Sequence, residues 1–461
     1  MPALVKIKPG VNMFVNSVVS LVVALVALGC CAVISAKPPA PPPFTCPVLT
    51  PSAAPPVDVR HIRPTDIKAF MAMGDSITAA FAAKENLKLD GIREFRGISW
   101  AIGGDDGAYT VPNFFARVSG HPHSPALGAS LGDQIPLEAV KIKGHPVRDW
   151  DPRVDQLNGA VSLARVGDLN TQMDYLVSEA KKIKGLDFEN DWKVLSILIG
   201  ANNLCISCEA GRKDATPQYY EQNYRAILER VRTEIPKVFV NAVLMFNISG
   251  VYTQQQTSEY CRLMEPIEKN ECPCMERADA DRQAMDLHNV LYSQVIKNIS
   301  ADYAAKNYTD FAVVVQPCFE SLPVFSLEYL SGVDCFHPSY LAHAAMGIGL
   351  WNNMLQPEGE KDTTLDPANV KLLCPAGGCS LSVRCGQLCL LLLMRLQRTS
   401  TLAEGACCCV ANEDTCDLII NKAMPQWCVR LRASSPHGFR AKSSMNSGNS
   451  WNCNGHAFAC S

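Results

Sequence analysis

The sequence predicts an α/β fold: a sandwich with a central five-stranded parallel sheet and helices on both faces. Three observations predict it. Short segments such as residues 192–199 and 238–246 are predominantly apolar rather than alternating, the pattern of strands covered on both sides. Stretches with helical spacing separate them. Small and polar turn residues follow the apolar runs directly, as in Gly74-Asp75-Ser76, Gly103-Gly104-Asp105 and Gly200-Ala201-Asn202.

The elements follow in order. Lys6 and Lys8 precede an apolar run from Val18 to Ile34 that closes in Ser35-Ala36. Residues 1–36 therefore read as a signal peptide, with an uncleaved membrane anchor as the rival. Residues 37–56 are Pro-rich and form an extended linker, in which Cys46 is a candidate tether to the body. The folded body spans 57–375. Its expected strands are 67–73, 95–102, 192–199, 238–246 and 311–315. A helix is expected after Ser76, through Ala79, Ala80, Phe81, Ala82 and Ala83, and others over 168–184, 216–235, 277–306 and 338–354. Residues 109–155 are rich in Pro, Gly and His without clear period, and read as a long surface excursion. Beyond residue 375 no alternation continues; 376–461 is a Cys-rich tail, poorly ordered or non-native, with a small disulfide-stapled module as the rival reading.

Composition narrows the function classes. A hydrophobic content of 48% with 19% charged residues suits a globular core. The net charge of −3 offers nothing global to nucleic acid or an anionic membrane. Twenty-one cysteines point to an oxidising compartment. Three acceptor sequons, at Asn247, Asn298 and Asn307, fit the same secretory route.

Ser76, Gly104 and Asn202 fall at the carboxyl ends of expected strands, where open α/β sheets bind ligands. Asp334-Cys335-Phe336-His337 stands just before the last helix. Each residue alone has a plain structural reading, as a turn, a Gly-rich loop or a helix start. Together they supply the parts of an acyl-transfer site. A serine hydroxyl needs a neighbouring base to become a nucleophile. His337 is the candidate base, and Asp334, three residues earlier, would hold its tautomer. The backbone N–H groups of Ser76 and Gly104 and the side-chain amide of Asn202 are the candidate oxyanion donors. His343 reads as a buried structural histidine rather than a residue supporting the site.

These blocks resemble the GDSL/SGNH hydrolases, in particular the phospholipase B-like branch. The resemblance runs over residues 57–375 and is carried by Gly74-Asp75-Ser76, the segment Arg96 to Asp105, Asp191-Trp192-Lys193, the segment Ile199 to Cys205, Val315-Gln316-Pro317, Asp334 to Ser339 and Leu350 to Leu355. It implies an SGNH-hydrolase-like sandwich and a secreted or surface esterase acting on glycerophospholipids and lysophospholipids at a lipid surface. The family uses no metal or other cofactor. Asn203 departs from the pattern, which usually has Asp after the oxyanion Asn, and the tail does not resemble the family. A carbohydrate or short-chain acyl esterase is the alternative chemistry, and a Cys-stapled binding module the non-enzymatic one.

Nine cysteines belong to the body and its Cys46 tether, so one thiol is left over from pairing among them. Cys205 and Cys208 read as disulfide cysteines rather than a metal half-site or redox pair. A disulfide at Cys335 would pin the loop that carries Asp334 and His337, with Cys374 and Cys318 as candidate partners.

Overall fold

A computed structural model of the chain describes residues 43–84, 93–121, 123–134, 140–142, 145–147, 149–263, 271–323, 325–375 and 381, and four tail segments within 406–443. The expected signal peptide lies outside the described residues. The chain divides into two units, residues 1–382 and 383–461.

The first unit is built on a parallel sheet with strands in sequence order: β1 (Ile67–Gly74), β2 (Trp192–Leu198), β3 (Val238–Val243) and β4 (Phe311–Gln316). The register sets Met73 beside Ile197 and Ile197 beside Ala242. Every residue of β2 and β3 is buried, so both faces of the sheet are covered, as continuous apolar runs require. Among the described residues the helices include α1 (Ser76–Ala79), α2 (Val111–Val118), α3 (Leu169–Ala180), α4 (Ala201–Leu204), α5 (Pro217–Glu234), α6 (Ser249–Gln255), α7 (Asp279–Lys306) and α8 (Tyr340–Leu355), besides single turns at Pro152–Asp155 and Pro273–Glu276. Helices α3, α5 and α7 pack in one row, and α2 packs on α8. Pro217 at the first turn and the Thr216 hydroxyl, which accepts the Tyr219 N–H at 3.2 Å, start α5 where the sequence places its start.

Four strands form the sheet rather than five. Residues 95–102 are coiled, with a 3₁₀ turn at Arg96–Ile98 and the Gly103 N–H donating to Ser99 O at 2.7 Å. The cause is Arg96. Its side chain is fully buried and pairs with Glu94 and Asp155, each at 2.9 Å. It also donates to the carbonyls of Asn158 (2.9 Å) and Ala160 (2.6 Å). A strand would aim alternate side chains to opposite faces of the sheet, whereas this turn aims one guanidinium into a polar nest. The outer edge of β1 is met by bends instead: the Phe70 N–H donates to Leu127 O and the Ala72 N–H to Leu157 O.

Two more expectations are corrected. Within the expected surface excursion of 109–155, residues 111–118 are not on the surface. Helix α2 lies in the core, with Phe115 edge-on to Trp351 at 5.1 Å and tilted on Phe70 at 4.9 Å. The helix after Ser76 lasts a single turn, because Ala80 (φ 56°) and Ala82 (φ 54°) are left-handed. In the second unit, where no regular alternation is expected, four antiparallel strands follow one another: β5 (Ala406–Asn412), β6 (Thr415–Ile420), β7 (Trp427–Ser435) and β8 (Gly438–Ser443). The alternation of Val429 and Leu431 with Arg430 and Arg432 is the period-two signal for one of them.

Arg96→Met removes the cation from two buried carboxylates. Chemical denaturation should show a loss of about 3–5 kcal/mol. A loss below about 1 kcal/mol, the range of a surface pair, would contradict the role given to Arg96.

Candidate active site

Strand β1 ends at Gly74, where the backbone passes too close to its neighbours for any side chain. A Cβ there would lie 2.6 Å from Leu198 O and 2.4 Å from Thr78 Oγ1. Gln172 of α3 clamps this residue on both sides. The Gly74 N–H donates to Gln172 Oε1 (2.9 Å), and Gln172 Nε2 donates to Gly74 O (2.8 Å). Asp75 then caps α1, its Oδ1 accepting the Ile77 N–H at 3.0 Å. Ser76 is thus the first residue of the helix, with its N–H among the donors that a helix start leaves without an intrahelical partner. Thr78 O accepts from Ser99 Oγ (2.7 Å) and Asn158 Nδ2 (3.3 Å), which ties α1 to the segments that Arg96 organises.

His337 arrives from the loop between β4 and α8. Its Nε2 lies 2.8 Å from Ser76 Oγ, and its Nδ1 lies 2.7 Å from Asp334 Oδ2. The other oxygen of Asp334 accepts the N–H groups of Phe336 (2.9 Å) and His337 (3.0 Å). The imidazole is flanked by Phe81 at 4.8 Å and Phe336 at 5.1 Å, and all three polar residues are buried. Between them Cys335 takes a left-handed conformation (φ 55°), uncommon for a residue with a side chain. Its disulfide to Cys261, a Gln255 Nε2 hydrogen bond to its carbonyl (3.2 Å) and its own N–H to Ser331 O (2.8 Å) hold it there.

Burial pulls the His337 imidazole down, but the Asp334 carboxylate reverses this, helped by Glu271 and Asp75, and the group ends above its ordinary value. Burial pushes Asp334 up, and the attraction of His337 and the donated hydrogen bonds bring it below the usual carboxylate range. Burial raises Asp75 to about 7.

The remaining expected residues separate. Asn202 lines the same cavity as Ser76 and His337 and donates one amide hydrogen to Ala164 O at 3.0 Å, which leaves its second. It sits just after Gly200, whose φ of 129° favours glycine. Gly104 is not among the residues lining that cavity. Its N–H is committed to Ser130 O at 2.7 Å, so the expected oxyanion donor is here part of the loop packed along residues 125–131. Asn203 accepts the Val166 N–H (3.0 Å) and donates to Asp214 O (2.7 Å); an Asp could not make the second bond as a carboxylate. His343 is buried, accepts the Trp100 N–H at 3.3 Å and is pulled down to about 3 by burial, a structural histidine.

Disulfides join Cys46 to Cys374, Cys205 to Cys272, Cys208 to Cys274 and Cys261 to Cys335. The partner expected for Cys335, Cys374 or Cys318, is therefore replaced by Cys261, and the thiol left over is buried Cys318. The sequon residues Asn247, Asn298 and Asn307 are all exposed.

The cavity at Ser76 shares Phe246, Val251, Phe336 and Pro338 with a second, apolar cavity. The lining of the second also includes Phe319, Leu322, Phe325 and Met346. Glu271, absent from the sequence expectations, stands against Asp334 and His337, with one ligating atom from each within 4.8 Å of the others. Both ring nitrogens of His337 are engaged, so a cation there would displace the Asp334 or Ser76 contact. The only sequence signal for Glu271 was its place beside Cys272-Pro273-Cys274.

A family model for the GDSL-like lipase/acylhydrolases matches residues 70–350. Membrane-associated phospholipase B1 of Homo sapiens is 31% identical over 347 residues, covering 72% of this chain and 22% of that protein. The Rattus norvegicus protein of the same name is 32% identical over 347 residues, covering 72% and 23%. That of Mus musculus is 30% identical over 336 residues, covering 69% and 21%. The chain thus spans about a fifth of the length of these relatives. With the match extending from the middle of β1 into α8, the chain belongs to the GDSL-like lipase/acylhydrolase family.

Proposed function

We propose that the chain hydrolyses acyl ester bonds of glycerophospholipids and lysophospholipids, with Ser76 as nucleophile, His337 as general base and Asp334 as its orienting carboxylate. The observation that carries the reading is the 2.8 Å contact of Ser76 Oγ with His337 Nε2 on the wall of a cavity that shares four residues with an apolar one. Ser76 Oγ attacks the ester carbonyl as His337 Nε2 takes its proton, and Asp334 stabilises the imidazolium. The oxyanion is received by the Ser76 N–H and the second amide hydrogen of Asn202. His337 then protonates the leaving alcohol, and water repeats the sequence on the acyl-enzyme. The larger cavity suits an acyl chain because its walls are hydrocarbon. This favours long-chain lipid esters over sugar acetates. The phospholipase B1 relatives support the lipid substrate.

The reading extends to location. Four disulfides among the described residues and three exposed sequons fit a secreted or extracellular-surface protein reached through the signal peptide at 1–36. Among the described residues no helix is long and apolar enough to cross a membrane.

Fatty acid released from a defined phosphatidylcholine and its lyso form tests the substrate. Ser76→Ala should lower the rate at least about 10³-fold without loss of secretion or melting temperature. A fully active Ser76→Ala protein would refute the assignment. The acid limb of kcat/KM should lie above pH 6.5, because His337 must be neutral to act and its surroundings hold the proton on. A limb below that value contradicts the electrostatics. Replacing Cys261 and Cys335 together by Ala should cost up to about 4 kcal/mol of stability, read by denaturant unfolding, and lower kcat more than it raises KM. Unchanged kcat would show that the cross-link does not position the base.

A further inference from the structure

Glu271 has no part in the scheme above, yet it stands beside it. Its carboxyl and those of Asp334 and the His337 ring offer atoms within 4.8 Å of one another, and Glu271 Oε2 is buried without a hydrogen-bond partner among the described residues. Such a group is unfavourable to bury, so something must hold it in place. Cys272, the next residue, is bonded to Cys205, and Cys274 to Cys208. The Cys274 N–H also donates to Cys205 O at 3.0 Å. Cys205 lies on the wall of the Ser76 cavity, three residues after Asn202. The two cross-links therefore fasten Glu271 to the element that carries the proposed oxyanion donor.

We propose that Glu271 is a positioning residue for the His337–Asp334 pair, a second carboxylate that favours the imidazolium formed when His337 takes the Ser76 proton. The proposal rests on the hydrolase reading. Asp334 serves the Nδ1 side of the ring, and Glu271 adds negative potential from a separate element. The other titratable groups facing the ring are Asp75 from the Ser76 turn and His343 from α8. His343 is held neutral by burial, so the carboxylates decide the sign of the field. Burial is the main influence on Glu271 and raises it; Asp334 acts in the same sense and His337 opposes. Charge on Glu271 is thus best tolerated when His337 is protonated, the state the reaction passes through.

The test uses the full chain and p-nitrophenyl butyrate as substrate. Glu271→Gln keeps the shape and removes the charge. Its acid limb of kcat/KM should move to lower pH, and its plateau kcat should fall roughly three- to tenfold with little change in KM. Glu271→Asp should return the limb toward the wild-type position. If Glu271→Gln does not fold, Glu271→Ala assayed with added formate gives the same readout: formate should restore the limb. A Gln profile that overlays the wild type, or a change in KM alone, overturns the proposal, and so does an Ala profile unmoved by formate. A wild-type chain inactive on every ester would overturn the hydrolase reading and this inference with it, and is distinguished by its wild-type failure.

Discussion

A single hydrogen bond, from Ser76 to His337 across 261 positions of sequence, is what the rest of the first unit is arranged to keep. Each end is fixed by a different device. On the serine side the chain leaves the sheet through a glycine squeezed between Leu198 and Thr78, with its amide group gripped by Gln172. On the histidine side there is no regular element to lean on, and the loop is instead bound by a disulfide, side-chain hydrogen bonds to its carbonyls and the two N–H groups accepted by Asp334. A parallel sheet explains why this works: its strands end on one side, so distant segments share one crevice.

The arrangement puts charge where burial opposes it. Asp75, Asp334 and Glu271 are acidic groups close to one imidazole, and each is pushed toward its neutral form by loss of water. Only Asp334 has enough hydrogen bonds to end below its ordinary range. The result is a pocket biased toward a positive ring, which is the electrostatic condition for a base that must hold a proton briefly and return it. Cross-links are the natural partner of such a pocket. A site whose groups repel or lack partners relaxes unless its framework is stiff, and three of the four disulfides tie segments that bear on it.

Much of this was legible in the sequence, and the exceptions share a cause. The four strands and the long helices appear where apolar runs and helical spacing place them, because burial on a periodic face writes itself into residue order. Residues 95–102 read as a strand because the pattern counts apolar residues and ignores what one buried arginine demands. The strand-end position and family block of Gly104 point to a donor role, but neither shows that its N–H is taken by the Ser130 carbonyl, 26 residues away. Ser76, Asp334, His337 and Asn202 could be singled out because their residue types are chemically distinctive and match the parts of the proposed acyl-transfer site. Glu271 and the Cys261–Cys335 pairing could not, since neither spacing nor composition encodes which distant segment will be nearest.

Covalent capture of the nucleophile addresses the central claim most directly. The intact chain, treated with a fluorophosphonate at neutral pH and digested for mass spectrometry, should carry one adduct, on the peptide holding Ser76, and the adduct should vanish in His337→Ala. Labelling elsewhere, or none in a folded protein, would mean that the serine and imidazole meet without forming a working nucleophile.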